Sequence, residues 1–455
     1  MTCICPKTLR RRKTLSLKSK PTRSASRKNK FTLWTRCPLP ISRTVTQFCE
    51  DLSLSELADL HGTPTYVYSL KTINEAAQTY ENAFCGIPHK LCYAVKANSN
   101  LAILKILQKR GWGFDIVSLG ELARVLQIGG NPEKIIFSGV GKTEEEMRIA
   151  LSAGIGAFNI ESEPEFERLA SIAEQMKCRP RVYFRVNPDV DAHTHPYIST
   201  GLKTNKFGID FFSALPLLKR AAACPHVQLT GIDCHIGSQL SSFSPYFDAC
   251  DKLLELLDKL RVSGIELQDI DFGGGVGVRY RDETIEPLQN LVSGLKSRLA
   301  DRGYSHLRIV MEPGRSIVAA AGLLLCSVEY LKTTPVKHFI ITDAGMNDLI
   351  RPALYAAWMP VLPVRLSKDS ETLFDVVGPV CESSDWLARD RALSVRAGDY
   401  LAITMAGAYG MSMASHYNSR RLPAEILVDG KRAFVIRKRD SLEDLWTNEA
   451  VPSEL

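Results

Sequence analysis

No Asp or Glu occurs before Glu50, although the same stretch holds 13 Lys and Arg. It also lacks a continuous apolar segment, which excludes a secretory signal. Rich in Ser and Thr, residues 1–43 read as an organelle transit peptide with cleavage near Arg36 to Arg43; a disordered basic arm that binds anions is the other reading. No apolar run anywhere approaches the roughly 20 residues needed to cross a bilayer, so no membrane partner is expected. The 12 cysteines form neither CxxC pairs nor a Cys/His cluster, which excludes a disulfide framework and a structural zinc. A reducing compartment and no bound metal are the expectation. The formal charge of +7 is an effect of the leader: beyond residue 49 there are 44 Lys and Arg against 50 Asp and Glu, a net of −6. The body gives no reason to expect nucleic acid as a partner.

What the chain does contain is a rhythm. Strand-like runs recur as LCYAVKA, FDIVS, KIIFSGV, AFNIES, VYFRVN, GIDCHIGS, DIDFGGG and RIVMEP, each separated from the next by a segment of helical periodicity. Capping signals open several of those segments: Ser118 with Glu121, Thr143 with Glu146, and Ser162 with Glu165 ahead of Pro164. Eight strands alternating with helices predict an α/β fold, a (β/α)8 TIM-like barrel over residues 72–315. Past Gly314 the runs shorten and lose helical spacing, which predicts a mostly antiparallel β domain over 316–455, with some helix around 346–359 and with residues 44–71 contributing.

The chemistry-bearing residues fall at one end of that barrel. Lys96, Asp115, Ser138, Glu161, Arg185, His235, the glycines from 273 and Glu312 all lie at or just after the C-terminal ends of the runs, the chemical face of such barrels. Each admits two readings. Lys96, in HKLCYAVKAN, is either a lysine snorkelling to the surface or an amine kept partly dry to attack a carbonyl. FGGGVG, residues 272–277, is either a tight turn or a phosphate cradle of backbone N–H groups, and its place after the seventh strand suits the second. Glu312 either pairs with Arg315 or contacts the nitrogen of a pyridine ring; His235 is either a satisfied core histidine or a group lying over that ring. Cys381 is either an inert small hydrophobe or, beside Glu382, Ser383, Ser384 and Asp385, an accessible thiol.

Longer motifs bear on those alternatives. YAVKAN, GLKTNKFG (201–208), HIGSQ, GGGVG, EPGR, DAGMNDLIRPALY (343–355), CESSD (381–385) and GAYGMSMASHYNSR (407–420) occur in the order seen in the fold-type III pyridoxal-phosphate decarboxylases. The chain resembles the diaminopimelate decarboxylases among them, from about residue 50 to the end. The resemblance implies an alanine-racemase-like barrel with a β domain, pyridoxal 5'-phosphate as cofactor, meso-diaminopimelate as substrate, and a homodimer with active sites shared across its interface. It implies that Lys96 carries the cofactor, that Glu312 meets the ring nitrogen, and that His235, Gly273, Gly274, Gly275, Gly277, Pro313, Gly314, Arg315 and Tyr409 belong to the cofactor environment. Arg315, Arg351 and Tyr355 resemble the family's clamp on the distal end of the substrate, with Tyr409 touching cofactor and substrate. Cys381 resembles the residue that protonates the intermediate from the partner subunit, with Glu382 beside it for the distal ammonium. A plastid destination is expected on the same ground, in preference to a mitochondrial one.

Two stretches depart from the pattern: AAWMP after Tyr355, and Arg421 where a proline is common. Three rival functions have different signatures. A basic amino-acid or polyamine-pathway decarboxylase would have little use for Arg315 and Arg351 together. A catalytically silent relative would have lost Lys96 or Cys381, and a racemase would need paired acid and base groups that CESSD does not supply.

Overall fold

Each of the eight apolar runs forms a strand: His89–Ala94, Gly113–Ile116, Ile135–Phe137, Ala157–Ile160, Arg181–Asn187, Gln228–Asp233, Asp269–Asp271 and Arg308–Met311. The computed structural model describes residues 46–190, 205–367 and 369–455. The expected leader and the first four residues of GLKTNKFG lie outside the described residues. All eight strands pair in parallel with their neighbours, and the eighth pairs with the first, so the sheet closes into a barrel. A two-residue strand, Ile209–Asp210, pairs in parallel with the end of the fifth and was not expected.

Strand alternation sorts the side chains, because successive residues point to opposite faces. Tyr93, Phe114, Phe137, Phe158 and Phe184 join the main core beneath the surrounding helices. Their neighbours Cys92, Ile136, Ala157, Tyr183 and Val310 form a small separate cluster inside the barrel. On the C-terminal side of that apolar plug lie the buried polar groups Asp115, Asn159, Asp233, Asp271 and Glu312, and on its N-terminal side the buried Asp269. The interior is thus layered as polar, apolar, polar from top to bottom.

The helices begin where their caps predict. Thr143 and Glu146 make a reciprocal capping box at the start of Glu144–Ala153. Ser118 and Ser162 each accept from the N–H of their partner glutamate, but Glu121 and Glu165 reach one residue further back, to the N–H groups of Val117 and Glu161. Each such cap contributes about 1 kcal/mol and sets where the chain leaves a strand for a helix.

Beyond the barrel, Gly322–Thr333 is the spine of a second sheet. It pairs antiparallel with Thr65–Ser69, with His338–Thr342 and with Tyr400–Ile403. Thr65–Ser69 pairs in parallel with Ala424–Asp429, whose hairpin partner is Arg432–Arg437. Thr372–Val377 and Trp386–Leu393 complete the other side, so the sheet is mostly antiparallel. The helix expected within 346–359 is Arg351–Tyr355. Ala356, at φ +50°, ends it in the left-handed region, and Pro360 follows. At Gly407 a Cβ would fall 1.9 Å from the Val318 carbonyl oxygen, and the Gly407 carbonyl accepts from Asn98 Nδ2 at 3.1 Å; glycine there lets the loop 407–410 press against the barrel rim.

Candidate active site

Lys96 follows the first strand, in a short 3-10 turn spanning Val95–Ala97 that lifts it out of the barrel wall. Its Nζ stands 2.5 Å from Asp115 Oδ2, at the end of the neighbouring strand, and 38% of its side chain is exposed while that of Asp115 is wholly buried. Burial pushes the ammonium down, but Asp115 and then Glu312 more than offset it, so Lys96 is held above the ordinary lysine range. At rest it is charged and fixed in place by its counter-ion.

Glu312 closes the eighth strand among other acids. Burial, followed by Asp115, Asp271 and Asp233, raises its carboxyl well above the usual carboxylate range. Asp271 is pushed up to about 7, first by burial, with the Gly273 N–H opposing and Asp115 adding. Glu312 Oε1 is buried and accepts no hydrogen bond among the described residues. That acceptor fits a ring N–H. Across from it, His235 packs on the glycine loop: a Cβ on Gly273 would fall 2.5 Å from its Nδ1. Burial, then the charges of Arg185 and Lys96, hold the imidazole well below its ordinary value, so it is neutral.

The glycines of the same loop leave no room for side chains of their own. A Cβ on Gly274 would lie 2.4 Å from the Glu312 carbonyl oxygen, one on Gly275 2.4 Å from that of Gly237, and one on Gly277 2.7 Å from that of Leu240. Gly314, after Pro313, is closed in by Ala94 and Ala97. A lysine, an orphan carboxylate oxygen and a glycine-rich loop at one barrel mouth are a donor and acceptor set that suits a phosphorylated pyridine aldehyde.

Beside this mouth lies a cavity of ≈ 340 Å³, lined among others by His235, Arg315, Arg351, Tyr355, Trp358 and Tyr409. Arg315 is buried, donates to Tyr280 Oη at 2.9 Å and to Ser238 Oγ at 3.1 and 3.3 Å, and lies 4.8 Å over the Tyr409 ring. Arg351, also buried, lies 4.8 Å over the other partner of this group, the Tyr280 ring. Burial, with the like charge of Arg315 contributing, lowers its guanidinium from the usual value. Neither arginine forms an ion pair among the described residues. Two buried guanidinium groups sharing one tyrosine call for an anion from outside. Tyr409 sits at φ +56°, a conformation that costs a residue with a side chain about 1 kcal/mol or more, and is held there by its N–H to the Ala97 carbonyl at 2.8 Å. That bond ties the β domain to the residue after Lys96.

Cys381 and Glu382 are not brought to this cavity. They are exposed on the loop that joins two strands of the β domain. The Cys381 N–H donates to Asn418 Oδ1 at 3.1 Å, and Tyr417 donates to Glu382 at 2.5 Å. Asp385 accepts from the N–H groups of Met346 and Val380, both at 2.6 Å, so the motifs DAGMNDL, CESSD and SHYNSR form one surface. Ser238 and Tyr280, the two residues that hold Arg315, escaped the reading of the sequence. Ser238 lies inside HIGSQ, and Tyr280 three residues past the glycine loop, so proximity to a motif was the available signal.

The family profile described as pyridoxal-dependent decarboxylase, pyridoxal binding domain, matches residues 70–319. The chain is 51% identical over 409 residues to a diaminopimelate decarboxylase of Pseudomonas aeruginosa, covering 90% of this chain and 98% of that one. With its counterpart from Vibrio cholerae the identity is 49%, over 90% and 97% of the two chains. Among solved structures, the Helicobacter pylori diaminopimelate decarboxylase complexed with L-lysine matches with a TM-score of 0.83 and 43% identity, covering 87% of this chain and 98% of the other. The enzyme from M. jannaschii in complex with L-lysine matches with a TM-score of 0.86 and 38% identity, over 90% and 98%. Profile, sequence and structure agree with the barrel, the lysine and the paired arginines in placing this chain in one family: it belongs to the diaminopimelate decarboxylases, within the pyridoxal-dependent decarboxylases.

Proposed function

We infer that this protein decarboxylates meso-2,6-diaminopimelate to L-lysine and CO2, using pyridoxal 5'-phosphate, as a homodimer whose subunits complete each other's sites. The observation that carries the reading is the pair of buried, carboxylate-free guanidinium groups of Arg315 and Arg351 in the cavity beside His235 and Tyr409. Diaminopimelate has an amino-carboxylate at each end, so an enzyme must grip one end while it cleaves at the other. Ornithine and arginine have no second carboxylate and would leave both guanidinium groups unanswered.

Bound pyridoxal phosphate supplies the electron sink that accepts the electron pair left when CO2 departs. The chain's residues do the rest. Lys96 would be the amine that carries the cofactor and would move a proton at Nζ, with Asp115 as its counter-charge. Glu312 would hold the ring nitrogen and N–H groups of the 273–277 loop the phosphate, while His235, neutral, would lie against the ring without adding charge. Arg315 and Arg351 orient the distal carboxylate with Tyr355, and Tyr409 closes the space between the two ends. The partner subunit's Cys381 delivers the proton that replaces the carboxylate, and the partner's Glu382 takes the distal ammonium. The basic leader directs the protein to a plastid; the mature N-terminus of protein isolated from that organelle, near residue 44, tests this.

The reaction is tested by measuring lysine release from meso-diaminopimelate, with LL-diaminopimelate, ornithine and arginine alongside. Selective turnover of the meso compound is expected. Preferential turnover of ornithine or arginine would replace this reading with that of a basic amino-acid decarboxylase.

A further inference from the structure

The N-terminal end of the barrel carries a second concentration of charge that the decarboxylation does not use. Beneath the apolar plug, the buried Asp269 accepts from Tyr183 Oη at 2.6 Å, from Lys90 Nζ at 3.0 Å, and from Arg308 Nε and Nη2 at 2.6 and 3.0 Å. Its oxygens are saturated, while one carboxylate serves two cations. A cavity of ≈ 430 Å³ opens there, lined among others by Lys90, Arg110, Lys134, Arg181 and Arg308. Arg110 is neutralised by a two-pronged pair with Glu81 at 2.6 and 2.8 Å. Among the described residues Lys134 donates only to the Gly111 carbonyl oxygen, at 2.8 Å. Arg181, exposed at the start of the fifth strand, has no ion-pair partner among the described residues.

Five Lys and Arg therefore stand against three carboxylates, Asp269, Glu81 and Glu133, an excess of two positive charges around one cavity. The surplus lies on Arg181 and Lys134, which have no carboxylate partner among the described residues and face the cavity beside Lys90 and Arg308. Among the described residues Arg308 Nη1 and the planar fork of Arg181 have no hydrogen-bond acceptor, the geometry that meets a phosphate oxygen pair.

We propose that this basal cavity is a binding site for a small divalent oxyanion of the phosphate class, held by Arg181, Arg308, Lys90 and Lys134. It lies on the opposite side of the plug of Cys92, Ile136, Ala157, Tyr183 and Val310 from Lys96. Its volume exceeds that of orthophosphate, so an organic phosphate ester fits as well.

The test is calorimetric titration of the holoenzyme, its cofactor site filled, with orthophosphate and with glycerol 2-phosphate, for the parent protein, Arg181→Ala and Arg181→Lys. Besides any anion taken by the Arg315 and Arg351 pair, one saturable site per chain is expected that is weakened about tenfold in Arg181→Ala, as for one lost charge-assisted contact, and partly restored in Arg181→Lys, with decarboxylation in phosphate-free buffer unchanged throughout. Tighter binding of orthophosphate identifies the free ion as ligand, and tighter binding of the ester an organic phosphate. Lys134→Gln, also on the surface, is the second variant should Arg181→Ala fold poorly. Absence of saturable binding, or binding that neither variant weakens, overturns the proposal.

Discussion

Lys96 Nζ and Asp115 Oδ2 stand 2.5 Å apart, one at the mouth of the barrel and the other wholly buried on the next strand. The pair explains how an ammonium persists beside a burial penalty. Asp115→Asn removes the largest of the charges that hold Lys96 up, so its pKa falls, by about 1 to 3 units for a counter-charge at this range. Competitive acylation of the apo-protein, read by mass spectrometry as the pH dependence of Lys96 labelling, should show the curve displaced to lower pH. An unmoved curve would mean that Asp115 does not set the charge of Lys96.

Tyr280 is the shared support of both arginines. Tyr280→Phe keeps the ring under Arg351 but removes the oxygen that accepts from Arg315, leaving a buried donor unanswered. A loss of about 1 to 3 kcal/mol is expected, read mainly as a higher KM for meso-diaminopimelate with kcat less affected. An unaltered KM would separate Arg315 from substrate binding.

Asp348 supplies a pH test of stability rather than of catalysis. Burial raises its carboxyl to about 7, with the Gly345 N–H opposing. A carboxyl raised in the folded state binds more protons there than when unfolded, so stability falls as pH rises between the ordinary value of 3.8 and about 7. Asp348→Asn removes that proton linkage, and the amide of Asn347, whose Oδ1 is buried without a partner, can turn to meet it. Urea midpoints at pH 4.5 and 7.5 should show the variant gaining on the parent at the higher pH, by about 3 kcal/mol. Parallel behaviour of the two proteins would place the proton elsewhere.

Cys381 lies outside the cavity of its own chain, and a shared site predicts complementation. Lys96→Ala and Cys381→Ala homodimers should each be inactive or nearly so. Mixed and allowed to exchange subunits, they should recover about a quarter of parental activity, because half of the dimers then hold one complete site of two. No recovery, with exchange verified, would remove Cys381 of the partner subunit from the reaction.

These relationships were unevenly legible in the sequence. The eight barrel strands could be read because each is a short apolar run between helical segments, and Lys96, His235, Glu312 and the glycine loop because strand ends are where such barrels do chemistry. The Ser118, Thr143 and Ser162 caps announced helix starts for the same local reason. The support of Arg315 by Ser238 and Tyr280 could not be read, since residues 238, 280 and 315 meet only through barrel closure. The short helix Arg351–Tyr355 was legible as a region and not by its bounds, because the left-handed turn at Ala356 has no glycine to signal it. The basal layer of Lys90, Asp269 and Arg308 escaped entirely: each is one polar residue at the start of an apolar run, a pattern that reads as a strand end and nothing more.

The claim that the paired guanidinium groups choose the substrate is tested most directly by kcat/KM for meso-diaminopimelate and for ornithine, in the parent protein and in Arg351→Ala. The parent is expected to favour meso-diaminopimelate strongly. The variant should lose about 10- to 100-fold on that substrate, the value of one charge-assisted pair in a buried site, and little on ornithine, which has no carboxylate to lose. Equal losses on both substrates, or a parent protein that does not discriminate between them, would contradict the account.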